Sequence, residues 1–364
     1  MRRLRVAGES LQPKSTTTYT YRLLPLNPTH WRGSMAGIQE IAQKAGVSPA
    51  TVSRALRGLQ HVNERTRARI IEAAESLGYP IDAKTIRSDR TNTVGVIAPF
   101  TSRWYFSQAI AGVEQALREA GMDLLLYNFN RANGREKVFQ SLNLSERVDA
   151  IIIISLPPTL DEFETLLGLG IPISAIGFKN PQITSVTIDD VAGARLATQY
   201  LVDQGHKTIG LISGAPSATL DFSVPKDRRS GFMAVLEENG LKFDPLHEVH
   251  ADFSMVTGEA AMDELLSRPN RPTAVFCESD EMAYGAMKSM KRHGLKCPED
   301  ISLIGFDNHE MAEFINLTTI AQPVRTLGEM AALSVMEKIN KPDALPKNLT
   351  LATTLIKRGS TKQL

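Results

Sequence analysis

The sequence predicts an α/β protein in which a small all-helical unit precedes a large domain of parallel sheets arranged as two lobes. Three observations carry that reading. Residues 38–79 place apolar side chains at helical spacing, interrupted at Gly46 and again around residues 58–63. From Val94 onward short β-rich runs recur, most of them separated by helix-length segments, which is the pattern of a parallel sheet covered on both faces. Those runs exceed what one ordinary open sheet needs and extend over about 260 residues, so they divide into two lobes with a cleft between them.

A chain of 364 residues with 42% hydrophobic content can bury large cores, and its length suits two or three domains. Its longest strongly apolar run, Ala150 to Leu156, falls far short of the roughly 20 residues that cross a bilayer. Residues 1–34 carry Arg2, Arg3, Arg5, Lys14, Arg22 and Arg32 against Glu9, without the continuous apolar stretch of a secretory signal. The chain is therefore expected in the cytoplasm. The same segment is rich in Thr, Pro and Arg and shows no periodicity, so it reads as a disordered leader, with translation expected to start at Met35. Cys277 and Cys297 are too few for a disulfide framework and are expected as free thiols. A net charge of +1 decides nothing, because a nucleic-acid partner needs a local basic surface.

The helical unit is assigned residues 35–80. Ile41 and Ala45, then Val52, Ala55 and Leu56, then Ile70, Ala73, Ala74 and Leu77 form stripes that can meet in one small core. Gly46 ends the first helix in the left-handed conformation of a tight turn, with Val47 buried behind it. Ser48 caps the second helix with its hydroxyl, and Pro49 takes the first helical position, where its missing N–H costs nothing. Such a helix presents its first residues to base edges of a major groove. Arg54 suits a bidentate contact to guanine, Ala50 a thymine methyl, and Thr51 and Ser53 phosphate oxygens. Asn63 can cap a third helix whose Arg65, Arg67 and Arg69 add positive charge near the duplex.

Residues 81–93 are polar and basic and read as a linker. Beyond them, strands are expected at Val94–Ile97, Leu124–Tyr127, Ala150–Ile154, Ile171–Ile176, Thr208–Ile212, Ala274–Cys277 and Ile301–Ile304, with helices such as Phe106–Ala120 and Val191–Gln204 between them.

The order Ala45-Gly-Val-Ser followed by Thr51-Val-Ser-Arg-Ala-Leu resembles the lactose-repressor/galactose-repressor (LacI/GalR) family of transcriptional regulators, and the resemblance extends to about Arg358. Further landmarks follow in the same order: Val94-Gly-Val-Ile-Ala-Pro-Phe, Ile188-Asp-Asp, Gly205-His-Lys-Thr-Ile-Gly, Arg228-Arg-Ser-Gly-Phe, Ser279-Asp-Glu-Met-Ala and Ile304-Gly-Phe-Asp. The resemblance implies a periplasmic-binding-protein-like domain over residues 94–364 that binds an effector and dimerises, and a chain that crosses between lobes near residues 189–195, 306–323 and 341–350. It implies DNA contacts from Ser48, Pro49, Ala50, Thr51, Ser53, Arg54, Arg57, His61 and Asn63. In that family the linker forms a helix on the operator and an aliphatic residue wedges into the minor groove; the matching position is Ile86. The segment between Tyr79 and Val94 is shorter than the family pattern, and Ile86 packing on the larger domain is the alternative.

Ligands of parallel sheets collect at the carboxyl ends of strands. Trp104, Tyr105, Phe106, Phe178 and Asp307 follow predicted strands, and the resemblance adds Arg228, Phe253 and Ser279 as effector contacts. Aromatic faces can stack on a sugar or base, while Arg228 and Asp307 can bond vicinal hydroxyls. The expected effector is a sugar or sugar phosphate, and the expected partners are a palindromic DNA operator and a second copy of the chain. No cofactor or metal is expected: the chain lacks a phosphate-binding Gly-rich loop, a Gly-x-Ser-x-Gly elbow and paired Cys-x-x-Cys, and His247, Glu248 and His250 do not have zinc-protease spacing. An enzyme is therefore not expected. A sugar-binding transport protein would share the two-lobed domain but needs an export signal and no helical headpiece.

Overall fold

The computed structural model describes residues 37–56, 62–77, 79, 91–128, 147–215 and 223–364. The leader at 1–34, most of the linker, and Arg57, His61 and Ile86 lie outside the described residues. What is described falls into two compact units, one made of the helices up to Ser76 and the other of everything from Thr91 onward.

In the first unit α1 (Ile38–Ala45) ends at Gly46, whose φ of 64° places it in the left-handed region that lets its N–H reach back to the α1 carbonyls. Helix α2 (Pro49–Leu56) opens beneath Ser48, which accepts from the Thr51 N–H at 3.1 Å. Helix α3 (Glu64–Ser76) is capped by Asn63, accepting from the Thr66 N–H at 2.8 Å. Ile41, Val52, Ile70 and Ala74 are fully buried where the three stripes meet, and Leu56 and Leu77 pack partly buried at the edge. One expectation needs correcting. Arg67 is 4% exposed, so it does not offer charge outward with Arg65 and Arg69. It precedes Ile70 by three positions and Ala74 by seven, which puts it on the apolar face of α3.

The first lobe of the second unit contains β1 (Thr93–Ala98), α4 (Trp104–Glu119), β2 (Asp123–Asn128), β3 (Ala150–Ile154), α5 (Leu160–Gly168), β4 (Ile173–Ile176) and β5 (Thr184–Ile188). The second lobe holds α6 (Asp190–Asp203), β6 (Ile209–Gly214), α7 (Val224–Glu238), β7 (Glu248–Ala251), α8 (Met255–Ser267), β8 (Ala274–Cys277), α9 (Asp280–Arg292), β9 (Ser302–Asp307), α10 (Met311–Phe314) and β10 (Thr318–Ala321). Helix α11 (Val324–Asn340) and β11 (Asn348–Leu351) belong to the first lobe again, and β12 (Thr354–Ile356) to the second.

The first sheet runs β11-β5-β4-β3-β1-β2 with every pairing parallel; the second runs β12-β10-β9-β8-β6-β7, with only β12 antiparallel. Such strands are covered on both faces, and Ala150 to Ile154 is correspondingly buried throughout. The chain passes between lobes at 188–190, 321–324 and 351–354. The first two overlap the expected stretches at 189–195 and 306–323. The third lies past 341–350, because residues 348–351 still pair with β5.

Helix pairs are pinned by glycines. A Cβ on Gly112 would stand 2.0 Å from the Arg325 carbonyl oxygen, and one on Gly328 would stand 2.1 Å from that of Ala109, so α4 and α11 touch backbone to backbone. That contact holds the start of α4 in place at the mouth of β1.

Candidate functional site

Helix α2 exposes Ser48, Pro49, Ala50 and Arg54, half-buries Thr51 and Ser53, and buries Val52 and Ala55. The burial follows from helical spacing: positions 52 and 55 meet Ile41 and Ile70, and the N-terminal turn is left facing outward. Ser48 and Thr51 hydroxyls also lie 2.8 Å apart, which orders the cap. Asn63 is exposed at the start of α3.

In both sheets the strand order reverses beside the first strand of the lobe: β1 lies between β2 and β3, and β6 between β7 and β8. Ligands of open α/β sheets bind outside the carboxyl ends of strands at such a reversal. A cleft of about 770 Å³, open mouth included, lies there. Its wall includes Arg103, Tyr105, Phe106, Ser155, Gly177, Ile188, Asp190, Phe253, Ser279, Glu281, Asp307 and Gln322.

Six of the eight residues expected at an effector site line this cleft: Tyr105, Phe106, Arg228, Phe253, Ser279 and Asp307. Trp104 and Phe178 do not. Trp104 stacks on His309, ring centroids 5.2 Å apart, and its indole N–H donates to the Glu310 carboxylate at 2.5 Å. Phe178 packs against the apolar cluster that contains Ile153, Leu156 and Phe163. Each directly neighbours a wall residue, and the direction of the side chain separates them. Residues missed by sequence reasoning are Arg103, Ser155, Gly177, Ile188, Asp190, Val224, Glu281, Gln322 and Leu327. The landmarks Ile188-Asp-Asp and Ser279-Asp-Glu-Met-Ala carried a signal for three of them, Ile188, Asp190 and Glu281.

Arg228 is the best-held group. Only 4% exposed, it donates through Nε to Asp190 Oδ1 at 2.8 Å and through Nη1 to the Glu278 carbonyl, and its guanidinium lies 3.5 Å from the Phe306 ring centroid. Burial raises the Asp190 carboxyl above its ordinary range, and the neighbouring guanidinium pulls it back. Asp307 Oδ1 accepts from Gln322 Nε2 at 2.6 Å, and burial lifts its pKa well above the ordinary carboxylate value, again opposed by Arg228. The Ser155 hydroxyl donates to the Tyr105 hydroxyl at 3.2 Å, and burial pushes the Tyr105 phenol up to about 12, so it stays protonated.

Three wall residues hold backbone conformations that favour glycine: Ser155 at φ 45°, Phe253 at 62° and Asp307 at 130°. Each costs on the order of 1–3 kcal/mol, a price met by the surrounding fold and typical of ligand-binding sites. Arg103, at the start of α4 in the first lobe, donates to the Asp252 carbonyl of the second at 2.7 Å. The arrangement offers hydroxyl, amide, carboxyl and guanidinium groups beside apolar faces, which is a recognition surface for a small polar molecule.

Residues 37–80 match the lacI family of bacterial regulatory proteins, and residues 198–361 match the periplasmic binding protein-like domain. The HTH-type transcriptional repressor CytR of Escherichia coli (strain K12) is 35% identical over 336 residues, 90% of this chain and 97% of that protein. Among solved structures, the complex of the transcriptional regulator CelR with cellobiose aligns with a TM-score of 0.68 at 28% identity, over 89% of this chain and 99% of that one. The lac repressor dimer bound to operator and the anti-inducer ONPF aligns with a TM-score of 0.68 at 26% identity, over 90% of this chain and 100% of that one. The chain belongs to the LacI family: it is a helix-turn-helix DNA-binding transcriptional regulator under the control of a small-molecule effector.

Proposed function

We propose that the chain is a transcriptional repressor that grips a palindromic operator as a homodimer in the cytoplasm, and that a sugar-class effector in the cleft changes that grip. The observation that carries the reading is the outward face of α2, where Ser48, Pro49, Ala50 and Arg54 are exposed above a buried Val52 and Ala55. Residues 35–80 are the DNA-binding unit, 81–93 the hinge, and 94–364 the effector-binding and dimerising domain.

Arg54 pairs with a guanine, Ala50 meets a thymine methyl, and Ser48, Thr51, Ser53 and Asn63 serve the backbone. Arg57 and His61 extend that contact, and Ile86 enters the minor groove. One such helix reads a short half-site, so two related by a two-fold axis are needed for adequate specificity. In support, the related lac repressor is a dimer on its operator, and CelR was solved with cellobiose. A ligand held by Tyr105 and Phe106 of one lobe and by Arg228, Phe253, Ser279 and Asp307 of the other favours one disposition of the lobes. It thereby shifts the population of DNA-competent protein.

Fluorescence anisotropy with DNA selected from a genomic pool tests the reading. Specific, salt-sensitive binding to a palindrome supports it. Failure to retain any sequence, with or without a panel of sugars and nucleosides, contradicts it.

A further inference from the structure

We infer that the cleft takes an uncharged, hydroxyl-rich molecule with an apolar ring face and rejects its phosphorylated form. This rests on the cleft being the effector site, and it narrows the expectation of a sugar or sugar phosphate to the first of the two.

An anion in a confined cleft needs a cationic donor that is not already committed. Among the described residues, two guanidiniums and three carboxyls stand on the wall, Arg103 and Arg228 against Asp190, Glu281 and Asp307, with no lysine. Both guanidiniums are already engaged by groups of the protein. Arg228 is held by Asp190, by the Glu278 carbonyl and by the Phe306 ring. Arg103 donates through Nη1 to the Asp252 carbonyl at 2.7 Å, keeps Nη2 3.8 Å from the Asp252 carboxylate, and lies 4.1 Å over the Phe100 ring. A phosphate entering here meets two guanidiniums already in contact with protein oxygens, and three carboxyls beside them.

Helix N-termini are the other natural source of anion binding, and several converge on this cleft. Most are already answered by acids. Asp189 caps α6 and Asp190 stands in its first turn; Ser279 caps α9, with Asp280 and Glu281 following; Asp227 stands in the first turn of α7. Helix α4 is the exception, with neither a side-chain cap nor an acid in its first turn. Its N–H groups suit a neutral hydroxyl oxygen. Asp307 suits a hydroxyl donor, since one oxygen is taken by Gln322 and the residue borders the cleft. Phe106, Ile188 and Phe253 supply apolar faces for a ring.

The test is isothermal titration of the full chain with matched pairs: ribose and ribose 5-phosphate, cellobiose and its 6-phosphate, cytidine and adenosine with their 5′-monophosphates. In every pair that binds, the phosphorylated member is expected to bind about tenfold more weakly or worse. A phosphorylated member that binds within tenfold of its partner, or tighter, overturns the inference. If no pair binds at all, the effector-site reading itself fails and takes the inference with it. Asp190→Asn, which releases Arg228, and Glu281→Gln, which leaves the Arg228 contacts in place, should both narrow the gap within a pair. Thermal unfolding checks that each variant is folded, and an unchanged gap in both counts against the charge argument.

Discussion

Arg54 and Arg228 sit on α2 and α7, and they differ in almost everything else. Arg54 is exposed on an outward turn whose geometry comes from residues within a few positions of it: Gly46, Ser48 and Pro49. Arg228 is buried, and its geometry comes from Asp190 on another helix, the Glu278 carbonyl at the end of a strand, and Phe306 from another strand. The first site is local in sequence and open in space. The second is assembled from segments between residues 103 and 327 around a cleft. A site of the first kind can lose its function without losing its fold, whereas a site of the second kind is part of the fold.

That contrast sets the expected consequences of substitution. Arg54→Ala should remove one bidentate base contact per half-site, roughly 1–3 kcal/mol each and so about 2–6 kcal/mol across a palindrome. Anisotropy titration measures that loss, and ligand-induced stabilisation should be unchanged. Arg228→Met strips Asp190 of its partner in a buried setting, a change that costs roughly 3–5 kcal/mol of stability. Thermal unfolding should show that loss together with the disappearance of ligand-induced stabilisation. If Arg228→Met is as stable as the parent, the two arginines are less different than their surroundings imply.

A smaller effect separates the units by pH. Glu278 accepts from the Gly214 N–H at 2.7 Å through one oxygen, its other oxygen has no partner among the described residues, and burial lifts its pKa to about 8. A carboxyl raised above its unfolded value contributes stability that is fully present below the ordinary carboxylate range and is lost as pH rises through about 8. Melting temperature measured from roughly pH 5 to 9 should therefore fall in the parent and fall less in Glu278→Gln. The reverse order would show that Glu278 is charged when folded. In the headpiece, Asn63→Ala removes the cap of α3 and should cost about 1 kcal/mol, read from chemical denaturation.

The same contrast explains what the sequence disclosed. The headpiece was legible because Gly46, Ser48, Pro49 and Asn63 act on their immediate neighbours, and their roles are fulfilled in the structure. Arg67 escaped because a charged residue was taken for a surface residue although it shares a helical face with Ile70 and Ala74. The alternation of strands and helices was legible too, but β5, β7, β10, β11 and β12 were not. Their sequences, such as Thr184-Ser-Val-Thr-Ile, Thr318-Thr-Ile-Ala and Asn348-Leu-Thr-Leu, are short or mix polar residues with apolar ones, and none has a strong apolar run. Missing β11 is what displaced the third crossing. In the cleft, residues adjoining a strand end could be recognised as neighbours of the site. Whether Tyr105 or Trp104 turned inward depended on contacts with Ser155 and with His309, which lie far along the chain.

The most direct test of the account is the affinity of the full chain for its selected operator, measured with and without a saturating ligand of the cleft, in the parent and in the Arg54 and Arg228 variants. The account predicts that ligand changes operator affinity by about fivefold or more in the parent. It also predicts that Arg54→Ala still binds ligand while losing the operator, and that Arg228→Met binds the operator without responding to ligand. An operator affinity that stays the same with the cleft filled and empty would contradict it.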